Sequence, residues 1–227
     1  LARPSSLGDQ KPFAYHVDYF GLSGDGHYGR MNITTSTYYA TGKTDRHPLA
    51  QREQDIDAFF HATEVSRDFD WFRLRGSFLY ASGDEDPFDG KAEGFDAIFE
   101  NPQFAGADTS FFIRQNIPLV GGGGVALSGR NGVLPSLRSS KEQGQSNFIN
   151  PGLLLVGIGA DIDVLPELRL VANMNKLEFE NTNVLGVLRQ QRPPSTDLGI
   201  DASVGFQYRP FFSQNVVING SFAKLLP

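Results

Sequence analysis

The sequence lacks three features that would each indicate a familiar class of protein. Its 227 residues include no cysteine, which excludes disulfides, thiolate metal sites, a catalytic cysteine and covalent attachment of c-type haem. Its formal net charge is −6, and no basic run indicates a nucleic-acid partner. No stretch approaches the roughly 18 consecutive apolar residues of a transmembrane helix. The chain is therefore not a disulfide scaffold, a nucleic-acid binder or a helical membrane protein.

Signatures of catalysis are missing as well. The histidines show no metal-ligand spacing, and Gly121–Gly124 is not followed by the Lys-Ser/Thr of a phosphate-binding loop. No serine nucleophile elbow is present. We expect His61 to be a polar residue facing the interior rather than a catalytic base. We therefore predict a protein that is not an enzyme and has no cofactor.

The chain does have a period of two in its apolar residues, most clearly between Asn150 and Lys176. On either side of a tight turn at Leu165–Glu167, apolar residues alternate with small, polar or charged ones. A period of two places one set on each face of a strand. The stretch therefore predicts a β-hairpin with one apolar face, formed in its first strand by Leu154, Val156, Ile158, Ala160, Ile162 and Val164. Both a transmembrane barrel and a β-sandwich produce this pattern.

The same alternation predicts an all-β fold in one domain over residues 1–227. Eight strands are expected at about residues 12–20, 28–41, 55–66, 71–81, 153–164, 168–177, 199–209 and 215–223. Long loops are expected at 42–54, 83–147 and 181–198, the last with a short helix over Val184–Gln191. The first short turn is predicted at Gly21–Gly26, where glycine can supply positive φ angles.

Connection length favours the barrel over the sandwich. Short turns follow the odd-numbered strands and long loops follow the even-numbered ones, as in bacterial outer-membrane barrels. Aromatic residues gather beside the short turns as a membrane-interface girdle would: Tyr19, Phe20, Phe69, Trp71, Phe72, Tyr208, Phe211 and Phe212. A second girdle is expected at the opposite strand ends from Tyr38, Tyr39, Tyr80 and Phe179. We predict a transmembrane antiparallel up-and-down β-barrel in contact with lipid of the bacterial outer membrane.

The alternation of turns and loops also predicts on which side the chain ends lie. Both ends would lie outside, whereas complete bacterial barrels have both in the periplasm. We therefore expect the roughly eight strands to be a segment of a larger barrel. Eight strands alone would close only into a narrow barrel filled by side chains.

Three segments carry a resemblance to a known family: Tyr80–Asp84, Asn147–Gly152 and Gly205–Pro210. They resemble segments of alginate-export-type outer-membrane barrels, mainly over predicted strands four to eight. The resemblance implies a monomeric barrel of more strands than are visible here, with a charged lumen and loops folded over or into the pore. It assigns no binding residue.

Alternation also predicts which residues line the pore. The candidates are His16, Asp18, Arg73, Arg75, Asp161, Asp163, Arg169, Asp201 and Arg209. Most lie near short turns and would cluster at the periplasmic mouth. One interpretation is a charged constriction that selects solutes. The other is a water-filled lumen in which Arg–Asp pairs link neighbouring strands.

The 83–147 loop carries two further candidates. Asp84, Asp86 and Asp89 could bind Ca²⁺, but Phe88 occupies a ligand position of the EF-hand spacing, which favours a solvated acidic loop. An apolar piece, Phe111–Val120, could be a plug, a lid or a ninth strand, and the glycines after it favour a plug or lid. Its pore-loop candidates are Phe111, Phe112, Arg114, Gly121 and Gly122.

Three hypotheses for function follow. The leading one is an outer-membrane channel that passes small polar solutes or an exported polysaccharide through a charged lumen restricted by the long loop. The second is a barrel that forms a sheath around a multihaem cytochrome partner in electron transfer. The third is a soluble, secreted β-sandwich that acts as a binding module.

Overall fold

The computed structural model describes residues 14–46, 50–96, 104–106, 116–118, 124–126, 148–210 and 216–226. Within them the fold is all-β. Eleven strands follow one another: β1 (Tyr15–Tyr28), β2 (Met31–Thr44), β3 (Gln54–Phe69), β4 (Phe72–Ala81), β5 (Lys91–Ala92), β6 (Asn116–Pro118), β7 (Gly124–Ala126), β8 (Leu153–Leu165), β9 (Leu168–Glu178), β10 (Asp197–Tyr208) and β11 (Ile218–Leu226).

The eight long strands form one antiparallel sheet in chain order, β1-β2-β3-β4-β8-β9-β10-β11. This confirms the predicted up-and-down arrangement of eight strands. The sheet is not a closed barrel, because β1 and β11 each pair with one neighbour only among the described strands. Tight turns at 29–30, 70–71 and 166–167 lie at one end, the turn end, and the long connections lie at the other, the loop end.

The remaining elements belong to the long connections. β5 pairs in parallel with the start of β3, and β6 pairs with β7 in a separate hairpin. Residues 116–118 are therefore not a ninth strand of the main sheet. The predicted short helix is present as α1 (Asn183–Arg189). None of the helical residues described forms a segment long and apolar enough to span a membrane.

The predicted turn at Gly21–Gly26 is wrong. These residues belong to β1, and the chain turns at Gly29–Arg30, where Gly29 has a φ of 63°. Gly21 instead provides space, since a Cβ built on it would lie 2.3 Å from Cε1 of Tyr38 on β2. A strand glycine often marks such a close approach. As a consequence, Tyr19 and Phe20 lie in the loop half of β1 and not beside a turn.

A smaller error of the same kind affects the next turn. The predicted strands 55–66 and 71–81 imply a turn over 67–70, but β3 continues to Phe69 and the chain turns at Asp70–Trp71. Phe69 and Phe72 then stack across the turn with ring centroids 4.7 Å apart.

Strand register divides the sheet into two faces, because paired residues share a face. Ile158 on β8 pairs with Gly76 and Met174, while its neighbour Gly157 pairs with Ser77 and Asn175. We call the face of Ile158 the open face, since large apolar side chains are exposed along it: Leu22 by 78%, Ile158 by 62% and Phe222 by 66%. We call the opposite face, which carries Gly157 and the fully buried Leu155, the covered face.

Two apolar clusters bury the covered face at the loop end. The first joins Leu79, Leu155 and Leu177 of the sheet to Leu185 of α1. The second contains Ala40, Ile56 and Ala58 of the sheet, Val184 of α1, and Phe95 and Phe148 of the long connections. Burial of one large apolar side chain contributes about 1.5–3 kcal/mol. The clusters therefore hold the long connections firmly against the sheet.

Gly21→Val tests the register of β1. The added side chain must displace the Tyr38 ring, so we expect the free energy of unfolding to fall by about 1–3 kcal/mol. Gly26→Val is the matched control, because a Cβ at Gly26 meets nothing within 4 Å and valine favours strands. Thermal unfolding followed by circular dichroism measures both variants. Equal losses would contradict this register, and a larger loss for Gly26→Val would favour a turn there.

Candidate functional site

Seven of the nine predicted pore-lining residues lie on the covered face: Arg73, Arg75, Asp161, Asp163, Arg169, Asp201 and Arg209. Six of them are in the turn half of the sheet, as predicted. Asp201 is the exception, because it pairs with Leu225 nearer the loop end and is 0% exposed. It lies among the buried residues and does not face open space.

The prediction is wrong for His16 and Asp18. They pair with Lys43 and Thr41, which places both on the open face near the loop end. The odd-numbered residues of β1 face the loops instead. Among them, Tyr19 packs against Phe95 with ring centroids 6.3 Å apart. The rule that polar residues point inward fails here, because the long connections fill this end of the covered face with apolar side chains.

His61 also lies on the opposite face from the one expected. It pairs with Tyr80 and Thr37 on the open face. Its Nδ1 is 2.8 Å from Oγ1 of Thr37, and its Nε2 is 2.9 Å from Oγ1 of Thr63. The ring therefore contacts one threonine on the neighbouring strand and one on its own strand.

Arginine–aspartate pairs link neighbouring strands on the turn half of the covered face. Arg75 donates to Asp161 at 2.9 Å, and their side chains are only 11% and 21% exposed. Arg169 donates two hydrogen bonds to Asp163, at 2.6 and 3.0 Å, and Arg73 pairs with Asp68. The Arg73 and Arg169 side chains are 46% and 47% exposed. We call this group the charged layer, and its two outer pairs reach solvent while also linking strands.

A layer of two amide side chains and one carboxylate lies next to it, toward the loop end. Asn173 and Asn175 of β9 extend over β8, where glycine leaves room for them. A Cβ on Gly157 would lie 2.0 Å from Oδ1 of Asn175, and one on Gly159 would lie 2.7 Å from Oδ1 of Asn173. Arg75 donates to Asn173 at 2.8 Å. We call Asn173 and Asn175, with Glu64 of β3, the amide layer.

The sequence prediction missed the two asparagines because it selected charged residues. A signal was present, since two asparagines alternate with apolar residues on one predicted strand and two glycines do so on the strand before it. Small residues facing amides across a strand pair indicate close packing of a polar face.

One short segment of the 83–147 loop is seated on the amide layer. The backbone N–H of Ala105 donates to Oε2 of Glu64 at 3.2 Å. The carbonyl oxygen of Ala105 accepts from Nδ2 of Asn175 at 3.1 Å. Phe104 packs against the first apolar cluster. The loop therefore reaches the middle of the covered face and bridges β3 and β9. The predicted pore-loop residues Phe111, Phe112, Arg114, Gly121 and Gly122 lie outside the described residues.

The acidic start of the same loop does not form the alternative calcium site. Asp86 and Asp89 accept hydrogen bonds from the backbone N–H groups of Phe88 and Lys91, two residues further on. Asp84 is 1% exposed and accepts from the N–H of Glu93. Among the described residues, no group of three or more carboxylates and histidines could hold a metal ion.

Burial makes two carboxyl groups of the loop end unusual. Desolvation raises the pKa of Asp84 to about 7, helped by the charges of Asp89, Glu93 and Asp86, although the Glu93 N–H opposes the shift. Desolvation also raises the pKa of Glu180, which accepts from the N–H of Gly83. Both groups lie where residues 82–84, 150–152 and 179–181 meet, at contacts that pack the connections together.

No protein-family model matches the sequence, and no curated protein matches it either. The resemblance to alginate-export-type barrels therefore stays a prediction.

Arg75→Met tests whether the buried pair holds the layers together. The change leaves the Asp161 carboxylate and the Asn173 carbonyl without the guanidinium, and we expect a loss of about 3 kcal/mol in the free energy of unfolding. Arg73→Met is the matched control on the same strand and face, and its exposed pair should contribute little. Denaturant unfolding measures both. Similar losses in the two variants would show that burial does not distinguish the pairs.

Asp84→Asn tests the buried carboxyl. Because folding raises the pKa of Asp84 from 3.8 to about 7, the folded state binds the proton more tightly, and stability falls as pH rises between these values. The variant removes this loss. We expect its unfolding temperature to match that of the natural chain at about pH 4 and to exceed it by a few degrees at about pH 8.

Asp86→Asn is the control for that experiment. Asp86 is exposed, and an asparagine oxygen can still accept from Phe88, so its gain at high pH should be much smaller. A gain for Asp84→Asn that is equal at both pH values would contradict a raised pKa.

Proposed function

We propose that this chain forms wall strands of a bacterial outer-membrane β-barrel channel. The observation that carries the proposal is the open face. All eight long strands contribute exposed apolar side chains to it, while the covered face carries charge, amides and the loops. A lipid-facing apolar surface opposite a polar interior is the arrangement of transmembrane barrels.

The height of the apolar band supports the same proposal. From Leu154 to Val164 on β8 the open face stays apolar, which at ~3.4 Å per residue and a usual tilt corresponds to about 25 Å of bilayer. Toward the loop end the open face becomes charged, with Lys43 beside Glu53 and Asp55. The chain thus has the surface expected where a barrel leaves the hydrocarbon region.

Aromatic residues mark both borders of that band. Phe20, Tyr39 and Phe59 are paired in a row across β1, β2 and β3, and the Tyr39 hydroxyl donates to Asp57 at 2.8 Å. Trp71, next to the Phe69–Phe72 stack, is 58% exposed at the turn end. An aromatic ring with one apolar side and one polar partner suits the membrane interface.

The covered face suggests which solutes would pass through the proposed channel. The charged layer exposes guanidinium and carboxylate groups together, so the proposed route accepts polar solutes of either sign and suits small polar solutes or an exported polysaccharide. The loop-end clusters and the Phe104–Gly106 segment narrow the route. The open sheet fits a wall that further strands complete, as the resemblance to alginate-export-type barrels implies.

The two alternatives differ in what the covered face meets. A sheath for a cytochrome needs that face free for a partner protein, and the packed loop-end clusters disfavour this over the loop half. A soluble β-sandwich needs two sheets face to face, whereas the long strands lie in one. The channel is therefore the function that we prefer.

Single cysteines on adjacent residues test the proposal, because the natural chain has none. Phe206→Cys lies on the open face and Gln207→Cys on the covered face. In lipid vesicles, a bimane label at 206 should be quenched strongly by spin-labelled lipid, and one at 207 should be quenched weakly. Conductance of the same preparation in planar bilayers then distinguishes a channel from a sealed barrel.

Equal quenching at 206 and 207 would exclude a lipid-facing open face and with it the membrane proposal. Quenching at 206 without conductance would favour the sheath, and copurification of a haem-containing partner would support that outcome. A chain that stays soluble without detergent and never enters vesicles would favour the secreted module.

A further inference from the structure

We propose that the amide layer is a binding site for amide-bearing solutes, and that the chain's own Phe104–Gly106 segment occupies it here. Ala105 presents an N–H donor and a carbonyl acceptor to Glu64 and Asn175, at 3.2 and 3.1 Å. The site thus holds the N–H and the C=O of one residue, which belong to two consecutive peptide groups. A solute that offers the same donor and acceptor would compete with the segment.

The side chains of the site are held in position before any solute arrives. Glu64 accepts from Oγ of Ser77 at 2.9 Å. Asn173 is oriented by Arg75 at 2.8 Å and donates to Oγ of Ser203 at 3.4 Å. Asn175 is 1% exposed and lies over Gly157. Prearranged polar groups bind a matching ligand with little loss of side-chain freedom.

The shape of the site limits what can enter it. A Cβ built on Gly106 would lie 2.2 Å from Cγ of Asn173, so the ligand must be slim after its carbonyl group. Phe104 packs on the first apolar cluster, so an apolar group is favoured before its N–H. The solute class is therefore an N-acyl amino-acid amide in which the group after the carbonyl carries no side chain.

The backbone of the bound segment shows strain that its release would relieve. Ala105, which has a side chain, has a φ of 51°. The left-handed conformation is unfavourable for a residue with a side chain, and it persists where surrounding contacts fix it. The two hydrogen bonds of Ala105 supply that constraint, and a competing solute would remove it.

The binding site stands on these contacts, and only its consequence rests on the proposed function. If the covered face lines a channel, displacement of Phe104–Gly106 by a solute widens the channel. The bound solute would then increase its own passage. Binding can be measured in detergent without conductance, which keeps the two proposals separable.

The test uses the tripeptide N-acetyl-Phe-Ala-Gly-amide as probe and calorimetry as readout. In the Gly106→Val variant the new side chain clashes with Asn173, so the Phe104–Gly106 segment should leave the site. The variant should then bind the probe at least tenfold more tightly than the natural chain. Adding Asn175→Leu should abolish that gain. N-acetyl-Phe-Ala-Ala-amide is the matched probe and should bind at least tenfold more weakly to Gly106→Val, because its last Cβ meets Asn173.

The inference is overturned if Gly106→Val binds no more tightly than the natural chain, or if Asn175→Leu leaves the gain intact. Should Gly106→Val fail to fold, hydrogen exchange on the natural chain decides. Excess probe should speed exchange of the Ala105 amide, and unchanged exchange would overturn the inference. Probe binding in a preparation without conductance would support the site and contradict the channel.

Discussion

Backbone pairing of eight strands in one antiparallel sheet is the constraint on which the rest of the structure depends. Because paired residues share a face, each register fixes which side chains lie on the open face and which meet the loops or the charged layer. A one-residue slip between β4 and β8 would move Arg75 from the side of Gly159 to the side of Ile158. The open face would then carry a guanidinium, and the amide layer would lose the group that orients Asn173. The two surfaces are therefore specified together.

The covered face brings charged pairs and amide side chains close together, and both kinds of group need partners when they are buried. Charged pairs need partners when water is reduced around them, and amides need both donor and acceptor satisfied. The chain meets these needs with space as well as with bonds. Gly157 and Gly159 leave β8 without side chains where Asn175 and Asn173 extend, and Ala105 adds one hydrogen bond to each of Glu64 and Asn175. Packing, polarity and loop position are set by the same few residues.

The sequence predicted the strands, their order and the alternation of turns and loops, because period-two patterning is local. It placed Arg73, Arg75, Asp161 and Asp163 on one face for the same reason. It failed at His16 and Asp18, since the loops that fill the loop end are distant in sequence and change which side of β1 is apolar. It failed at Gly21–Gly26 because a glycine that makes room for Tyr38 has the same composition as a turn glycine. Asn173 and Asn175 were missed because charge was the criterion for an interior residue, although their alternation with apolar residues beside a glycine-bearing strand was visible.

One consequence concerns α1, a helix of seven residues. Its adjacent residues Val184 and Leu185 are 0% and 1% exposed and belong to different apolar clusters. A rotation or retreat of the helix would open both clusters at once, so neither half of the loop end can loosen alone. The two apolar clusters should then unfold as one cooperative unit. The connection from Phe179 to Thr196, which carries α1, links them. A short helix thereby gives the loop end an all-or-none character that no single strand could provide.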